Sequence, residues 1–487
     1  MNTFIGIDLG TSSVKLLLTD RDGNVLNSAS RSYPVSYPKD GWSEQNPDDW
    51  FKAVCDGLEE LLNGQDKSAV RGIGAGGQMH GLVVLDEKNE VIRPCILWND
   101  GRTQSEVDYL NGKIGKKKLS KNLANVAFAG FTLPKILWLK ENEPQNFKRI
   151  KKIMLPKDYL NFMLCGEFSS DYSDASGTLL LDVKNRKWSD FACKIAGIDK
   201  EVLPTLYHSY EKVSTVKKEI AQRFGLNEDV IVCAGAGDNA SASVGTGTVF
   251  DGDCNISLGT SGTVFISRDK FSVDGKNALH SFAHANGAYH LMGCILSAAS
   301  CNAWWSAVAG VKDFDEEQKN LERKLGKNGV YFLPYLMGER SPHNDVNAKS
   351  AFIGMRPDTS RQDMSLAVLE GVAFALKDCV EEARALGAVI DKTRLCGGGA
   401  KSALWRKIIA NVLNVKVEIP AVEEGPAYGA CILSMVACGE YPTVQEATKK
   451  IVKIKSFIEP DENTVKLYKE KYLTFKKLYP ALKQVFN

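Results

Sequence analysis

One short turn occurs twice in this chain, as Asp8-Leu9-Gly10-Thr11-Ser12-Ser13 and as Ser257-Leu258-Gly259-Thr260-Ser261-Gly262, each time between two apolar runs. The flanks, Phe4 to Ile7 and Val14 to Leu18 in the first copy, Cys254 to Ile256 and Thr263 to Ile266 in the second, predict a β-hairpin around each turn. Glycine lets a backbone approach closely, and Thr and Ser add neutral donors, so each turn is suited to phosphate oxygens. Two such nests predict one nucleotide held by two related halves. The copies differ at the head, where Asp8, a carboxylate able to hold Mg2+, stands against Ser257. No G-x-x-x-x-G-K-[ST] loop occurs.

Composition narrows the classes. At 487 residues, with 44% hydrophobic and 25% charged, the chain has room for two large globular domains. A net charge of +2 argues against a nucleic-acid partner, and Lys116 to Lys118 read as a solvated helix face. No apolar run approaches the ~18 residues of a membrane span, and Met1 leads straight into a strand, which predicts a cytoplasmic protein without a membrane partner. The twelve cysteines scatter from Cys55 to Cys438 without C-x-x-C pairs and read as small buried apolar residues. His280 and His284 are four apart with no acidic neighbour to act as base, so a structural role is expected.

Residues 4–37 predict a three-strand meander with a turn at Asp22-Gly23-Asn24. Asn46 as N-cap, Pro47 in the first helical position and Asp48 and Asp49 in the first turn predict a helix to Leu62. The glycine run from Gly72 to Gly81 predicts a place where backbone crowds a ligand. Trp98-Asn99-Asp100-Gly101-Arg102 suits a polyol, the ring packing on C–H and the amide and carboxylate meeting hydroxyls; a strand end with a buried Trp is the other reading. The strand Val230 to Cys233 runs through glycines to Asp238, which either caps the next helix or takes a proton from an attacking hydroxyl. Gly397, Gly398 and Gly399 turn a strand into a helix and offer bare backbone to an adenine or ribose. The break between halves falls between Ala242 and Asp253, among Gly245, Gly247 and Gly252.

The paired hairpins resemble those of the actin, hexokinase and Hsp70 type of ATPase. Further segments resemble the FGGY carbohydrate kinases: residues 130–142, beginning Gly130-Phe131-Thr132-Leu133-Pro134-Lys135, look like the first signature of that family, and residues 350–370, beginning Ser350-Ala351-Phe352-Ile353-Gly354-Met355, like the second. The similarity weakens after about Tyr441. It implies an α/β fold of two ribonuclease H-like (actin/hexokinase/Hsp70 ATPase-type) domains with a cleft between them, residues 1–246 and 247–487. It also implies Mg2+-dependent transfer from ATP to a small sugar, with Asp238 as base and Asp8 beside the metal. Thr11, Ser12, Ser13, Thr260, Gly398, Gly399 and Ala400 would contact ATP, and Met79 and His80 the sugar, with Gln78, Trp98, Asn99, Asp100 and Asn239 as further sugar contacts. Gln78-Met79-His80-Gly81, residues 98–102, Leu155-Pro156-Lys157-Asp158-Tyr159-Leu160 and residues 338–344 resemble the members acting on D-xylulose; ribulose, a ketohexose, a deoxy sugar or a polyol is the alternative acceptor, and a non-catalytic sugar sensor the alternative class. A homodimer is expected by analogy.

Overall fold

Both turns close antiparallel hairpins. In the computed structural model, which describes residues 2–486, Thr3–Leu9 pairs with Ser13–Asp20 from Thr3 opposite Asp20 to Leu9 opposite Val14. Cys254–Leu258 pairs with Gly262–Arg268 in the same way, ending on Leu258 opposite Gly262. Each hairpin seeds a sheet of seven strands. In the first, Thr3–Leu9 lies parallel to Val70–Gly77, which lies parallel to Ile231–Cys233, and Lys212–Thr215 closes the edge antiparallel. In the second, Cys254–Leu258 lies parallel to Lys392–Cys396, that strand parallel to Lys416–Pro420, and Ile454–Ile458 closes the edge antiparallel. The repeated series of hairpin, two parallel neighbours and antiparallel edge is the duplicated mixed α/β topology that the repeated turn predicts.

The chain divides into two units: Met1–Val249 with Ser281–Tyr289 and Glu424–Val452, and Phe250–His280 with His290–Glu423 and Lys453–Asn487. The sequence suggests a single cut at 246/247; the main break falls at Val249/Phe250, and Ser281–Tyr289 and Glu424–Val452 return to the first unit. The reason lies in the glycines. The helix Gly425–Ala437 rests on the first sheet so closely that a Cβ on Gly6 would stand 2.0 Å from the Ala427 carbonyl, and one on Gly74 2.2 Å from the Ala430 carbonyl. The same helix meets Asp238–Gly245 backbone to backbone, where a Cβ on Gly429 would lie 1.8 Å from the Ser241 carbonyl. What crowds Gly72 and Gly74 is therefore a helix and not a ligand, a correction to the sequence reading.

Local signals set the remaining elements. Asn46 accepts the Asp48 N–H and starts Pro47–Leu61, whose Trp50, Val54, Leu58 and Leu61 are fully buried in the first unit's core. In the second unit Ser360 and Asp363 form a capping box for Arg361–Ala385, and its buried Glu370 takes hydrogen bonds from Tyr468 and Lys471 of the C-terminal helix Glu462–Phe486. All twelve cysteines are free thiols and nine are buried. His284 is buried against the Thr248 carbonyl at 2.9 Å, the structural role expected of it. Among the described residues no helix is long and apolar enough to cross a membrane.

Candidate functional site

The first turn has its carbonyl groups tied back. Tyr33 Oη donates to the Gly10 carbonyl, Gln45 Nε2 to that of Thr11 at 2.7 Å, Tyr33 N–H to that of Ser12 at 3.3 Å and Gly10 N–H to that of Ser13 at 3.0 Å. Among the described residues the N–H groups of Thr11 and Ser12 meet no acceptor in the protein. The turn thus spends its acceptors on the protein and keeps donors in hand, which is the polarity that an anion requires. Gln45 is itself held by the indole N–H of Trp50 and by Gln78 Nε2, both at 3.0 Å. No local pattern marks Gln45 in the sequence, and it was missed. Gln78, assigned to the sugar from sequence, is 2% exposed and its amide donates to Gln45, which places it behind the first turn.

The second turn is braced similarly within its own unit. The Gly259 carbonyl accepts the Ala299 N–H at 2.9 Å, and the Thr260 carbonyl accepts the N–H of Ala298 at 2.9 Å and the hydroxyl of Ser300 at 2.7 Å. Thr260 is exposed. The glycine turn packs on this hairpin: a Cβ on Gly397, whose φ is 85°, would lie 2.8 Å from Leu258 backbone, and one on Gly399 2.9 Å from Leu258 Cβ and the Trp405 ring. Gly398 is exposed and faces open space, whereas Ala400 is buried. The second unit thereby gathers Thr260, Gly398 and Gly399 at the ends of adjacent parallel strands, where α/β sheets bind ligands.

In the first unit two carboxylates emerge at the ends of three neighbouring strands. Asp8 stands opposite Gly76, and Gly76 opposite Ala236, two residues before Asp238. Gly76 and Gly77 put no side chain between them. Gly237 caps the helix, and Asp238 is its first residue rather than the cap. One Asp238 oxygen accepts the Asn239 N–H at 2.6 Å and the Asn239 amide at 2.9 Å, which assigns Asn239 to holding the carboxylate. Burial raises Asp238 to about 6 against the pull of these donors. Asp8 is raised to about 7, first by burial and then by the charge of Asp238, with Lys15 opposing and Glu424 adding to the rise.

Asp8 accepts no hydrogen bond among the described residues. A desolvated carboxylate beside a second carboxylate, with no donor of its own, fits a divalent cation. Among the described residues no three His, Cys, Asp or Glu side chains gather as a metal cage. A cation held by a single such carboxylate would take the rest of its shell from water and phosphate oxygens.

A third group of residues faces the same unit. Met79 is 5% exposed and packs on Gly177 and Gly237, so it touches the strand that leads into Asp238. His80 takes a left-handed backbone, φ 70°, with its ring stacked 4.7 Å from Phe131 and Nδ1 on the Gly177 carbonyl at 2.7 Å. A carbonyl can only accept, so Nδ1 carries a proton. Trp98 is 42% exposed, and its indole N–H donates to Thr11 Oγ1 at 3.0 Å, joining the aromatic face to the phosphate turn. Asn99 is exposed. Asp100 departs from the sequence reading: at 1% exposure its oxygens accept from Ser43 N–H at 2.6 Å and from Arg102 Nε and Nη2 at 2.8 and 2.7 Å. Arg102, stacked 3.6 Å over Trp42, takes up that carboxylate in a bidentate pair and leaves it nothing for a hydroxyl.

Residues 3–245 match the model of the N-terminal domain of the FGGY family of carbohydrate kinases, and residues 254–438 that of its C-terminal domain. The chain is 37% identical to a xylulose kinase of Escherichia coli (strain K12), over 98% of this chain and 99% of the relative. Among solved structures it is similar to a xyloylose kinase from Brucella ovis, 38% identical with a TM-score of 0.93 over 99% of this chain and 100% of that one. It is also similar to a gluconate kinase from Lactobacillus acidophilus, 25% identical with a TM-score of 0.94 over 99% and 98%.

Proposed function

The chain belongs to the FGGY family of carbohydrate kinases, and we propose that it transfers the γ-phosphoryl group of ATP to the terminal hydroxyl of D-xylulose, giving D-xylulose 5-phosphate and ADP. The observation that carries the chemistry is the unlike pair of carboxylates. Asp238 is fixed by two donors from Asn239, whereas Asp8 has none and fits a cation. The choice of sugar is supported by the E. coli relative and by the segments 78–81, 98–102 and 338–344.

In this reading Asp238 accepts the proton of the attacking hydroxyl as that oxygen bonds to the γ-phosphorus and the bridging oxygen leaves with ADP. The N–H groups of Thr11 and Ser12, with the hydroxyls of Thr11 and Ser13, receive phosphate oxygens, and in the second unit Thr260, Gly398, Gly399 and Ala400 are assigned to ATP. Asp8 would hold Mg2+, which when bound offsets phosphate charge. Met79, His80, Trp98 and Asn99 form the acceptor surface; Gln78, Asp100 and Asn239 support it. Homodimeric assembly and a cytoplasmic location belong to the same reading by analogy.

Coupled measurement of ADP release with Mg-ATP across ketopentoses, ketohexoses, polyols and gluconate tests the substrate. Preference for D-xylulose is expected; strong preference for another acceptor overturns the choice of sugar, and ADP release that no sugar stimulates overturns the kinase reading.

Two further outcomes follow from the geometry. Because Asp238 must be ionised to accept a proton, kcat/KM is expected to fall about tenfold per pH unit below its pKa of about 6 in the free protein and to level off above it. A value that stays flat from pH 7 to 5 contradicts this. Replacing Trp98 with Phe keeps the aromatic face but removes the donor to Thr11. The KM for ATP is expected to rise about fivefold, the ~1 kcal/mol of one hydrogen bond, with the sugar KM within about twofold. A rise in sugar KM alone would detach Trp98 from the phosphate turn.

A further inference from the structure

The first signature segment, residues 130–142, holds a lysine that nothing above uses. Lys135 is completely buried, on the same face of the helix Thr132–Asn142 as the buried Thr132 one turn earlier. Its Nζ donates to the His80 carbonyl at 2.9 Å and to the Gly130 carbonyl at 2.7 Å, and Thr132 Oγ1 donates to the His80 carbonyl at 3.0 Å. Gly130 in turn lies so close to the Trp98 carbonyl that a Cβ there would stand 2.5 Å away. One amine therefore ties the backbone of the Met79-His80 segment to the backbone that supports Trp98.

Burying a lysine is costly. Burial lowers it to about 7, with the Arg102 charge adding to the fall and the Asp100 carboxylate opposing it. A methionine of similar volume would carry no such cost. The neutral amine still keeps two N–H donors, matching the two carbonyl acceptors. What the amine holds is a residue in a demanding conformation: His80 has φ 70°, uncommon outside glycine, and its ring is clamped between Phe131 and Gly177, where a Cβ would come within 2.5 Å of the imidazole. A left-handed histidine persists only when its surroundings over-determine it.

We propose that Lys135 is a positioning residue of the acceptor site: it pins the His80 carbonyl to the Gly130 carbonyl, fixes the His80 imidazole for the sugar, and so sets sugar affinity without touching the sugar. This rests on the assignment of His80 to the acceptor surface.

The test is a double-mutant cycle with the acceptor that the wild-type enzyme prefers, D-xylulose being the expected one. Lys135→Met raises the sugar KM tenfold or more and leaves the ATP KM within twofold. In a His80→Ala background the same change costs less than threefold, because the group it positions is gone. Thr132→Val, which removes one donor from the same carbonyl, shifts the sugar KM severalfold in the same direction and supplies the reading if Lys135→Met does not fold. Parallel rises in sugar and ATP KM, an unchanged sugar KM, or the full Lys135→Met loss in the His80→Ala background overturn the inference. A wild-type enzyme that no sugar stimulates overturns the function proposed above, and this inference with it.

Discussion

Asp238→Asn is expected to lower kcat by about 10²- to 10⁴-fold, the range that a positioned general base supplies, with the sugar KM changed less than about threefold. The substitution keeps shape and one carbonyl oxygen, so the donors of Asn239 still have an acceptor and the helix start at Gly237 is undisturbed. What it removes is the capacity to accept a proton. The acid limb near pH 6 should vanish with it, because the group that titrates there is gone. Steady-state kinetics from pH 5 to 8 on both proteins check this. Turnover within threefold of wild type, or an acid limb that survives the substitution, contradicts the base assignment.

Asp8→Asn is expected to act in opposite directions on rate and stability. Turnover at saturating ATP falls on the order of 100-fold, and the Mg2+ concentration for half-maximal rate rises, since the carboxylate that meets the cation is lost. The protein without ligands becomes more stable. Asp8 is raised in the folded state from 3.8 to about 7, so the folded form binds the proton more tightly and stability falls as pH rises from about 4 to 7. The cost is fully present above pH 7 and largely absent near pH 4. An uncharged amide escapes it, worth on the order of 1–2 kcal/mol after solvent screening, or roughly 1–3 °C in Tm at pH 8 and less at pH 5. Thermal unfolding at the two pH values, with Mg2+ titrations of activity, measures both effects. A lower Tm at pH 8, or an unchanged Mg2+ requirement, contradicts the account.

The chain displays locally what its hairpins do. Apolar strands flanking Gly-Thr-Ser, twice, are short-range signals, and the hairpins at Leu9 and Leu258 follow from them. Asn46-Pro47 likewise starts its helix where the capping chemistry says. The glycines from Gly72 to Gly77 were legible as a place of close approach but not as to what approaches, because Ala430 lies far away in the chain. Asp100 read as a hydroxyl acceptor since a carboxylate between Asn and Arg looks free; the bidentate geometry of Arg102, two residues on, was the signal against it. Gln45 and Lys135 act through carbonyl groups of distant segments, and no spacing in the sequence announces such partners. The single domain cut failed to foresee exchanged segments for the same reason, since the surface that Gly425–Ala437 covers is made by residues at the other end of the chain.

The central claim is that this site moves a phosphoryl group to a sugar hydroxyl by way of Asp238. Phosphorus NMR of the products from Mg-ATP and D-xylulose tests it most directly, comparing the wild-type protein with Asp238→Asn. The account predicts ADP and a sugar phosphate esterified at the terminal carbon in equal amounts, with both nearly absent in the variant over the same time. Inorganic phosphate as the main product, or equal sugar phosphate from both proteins, would contradict it.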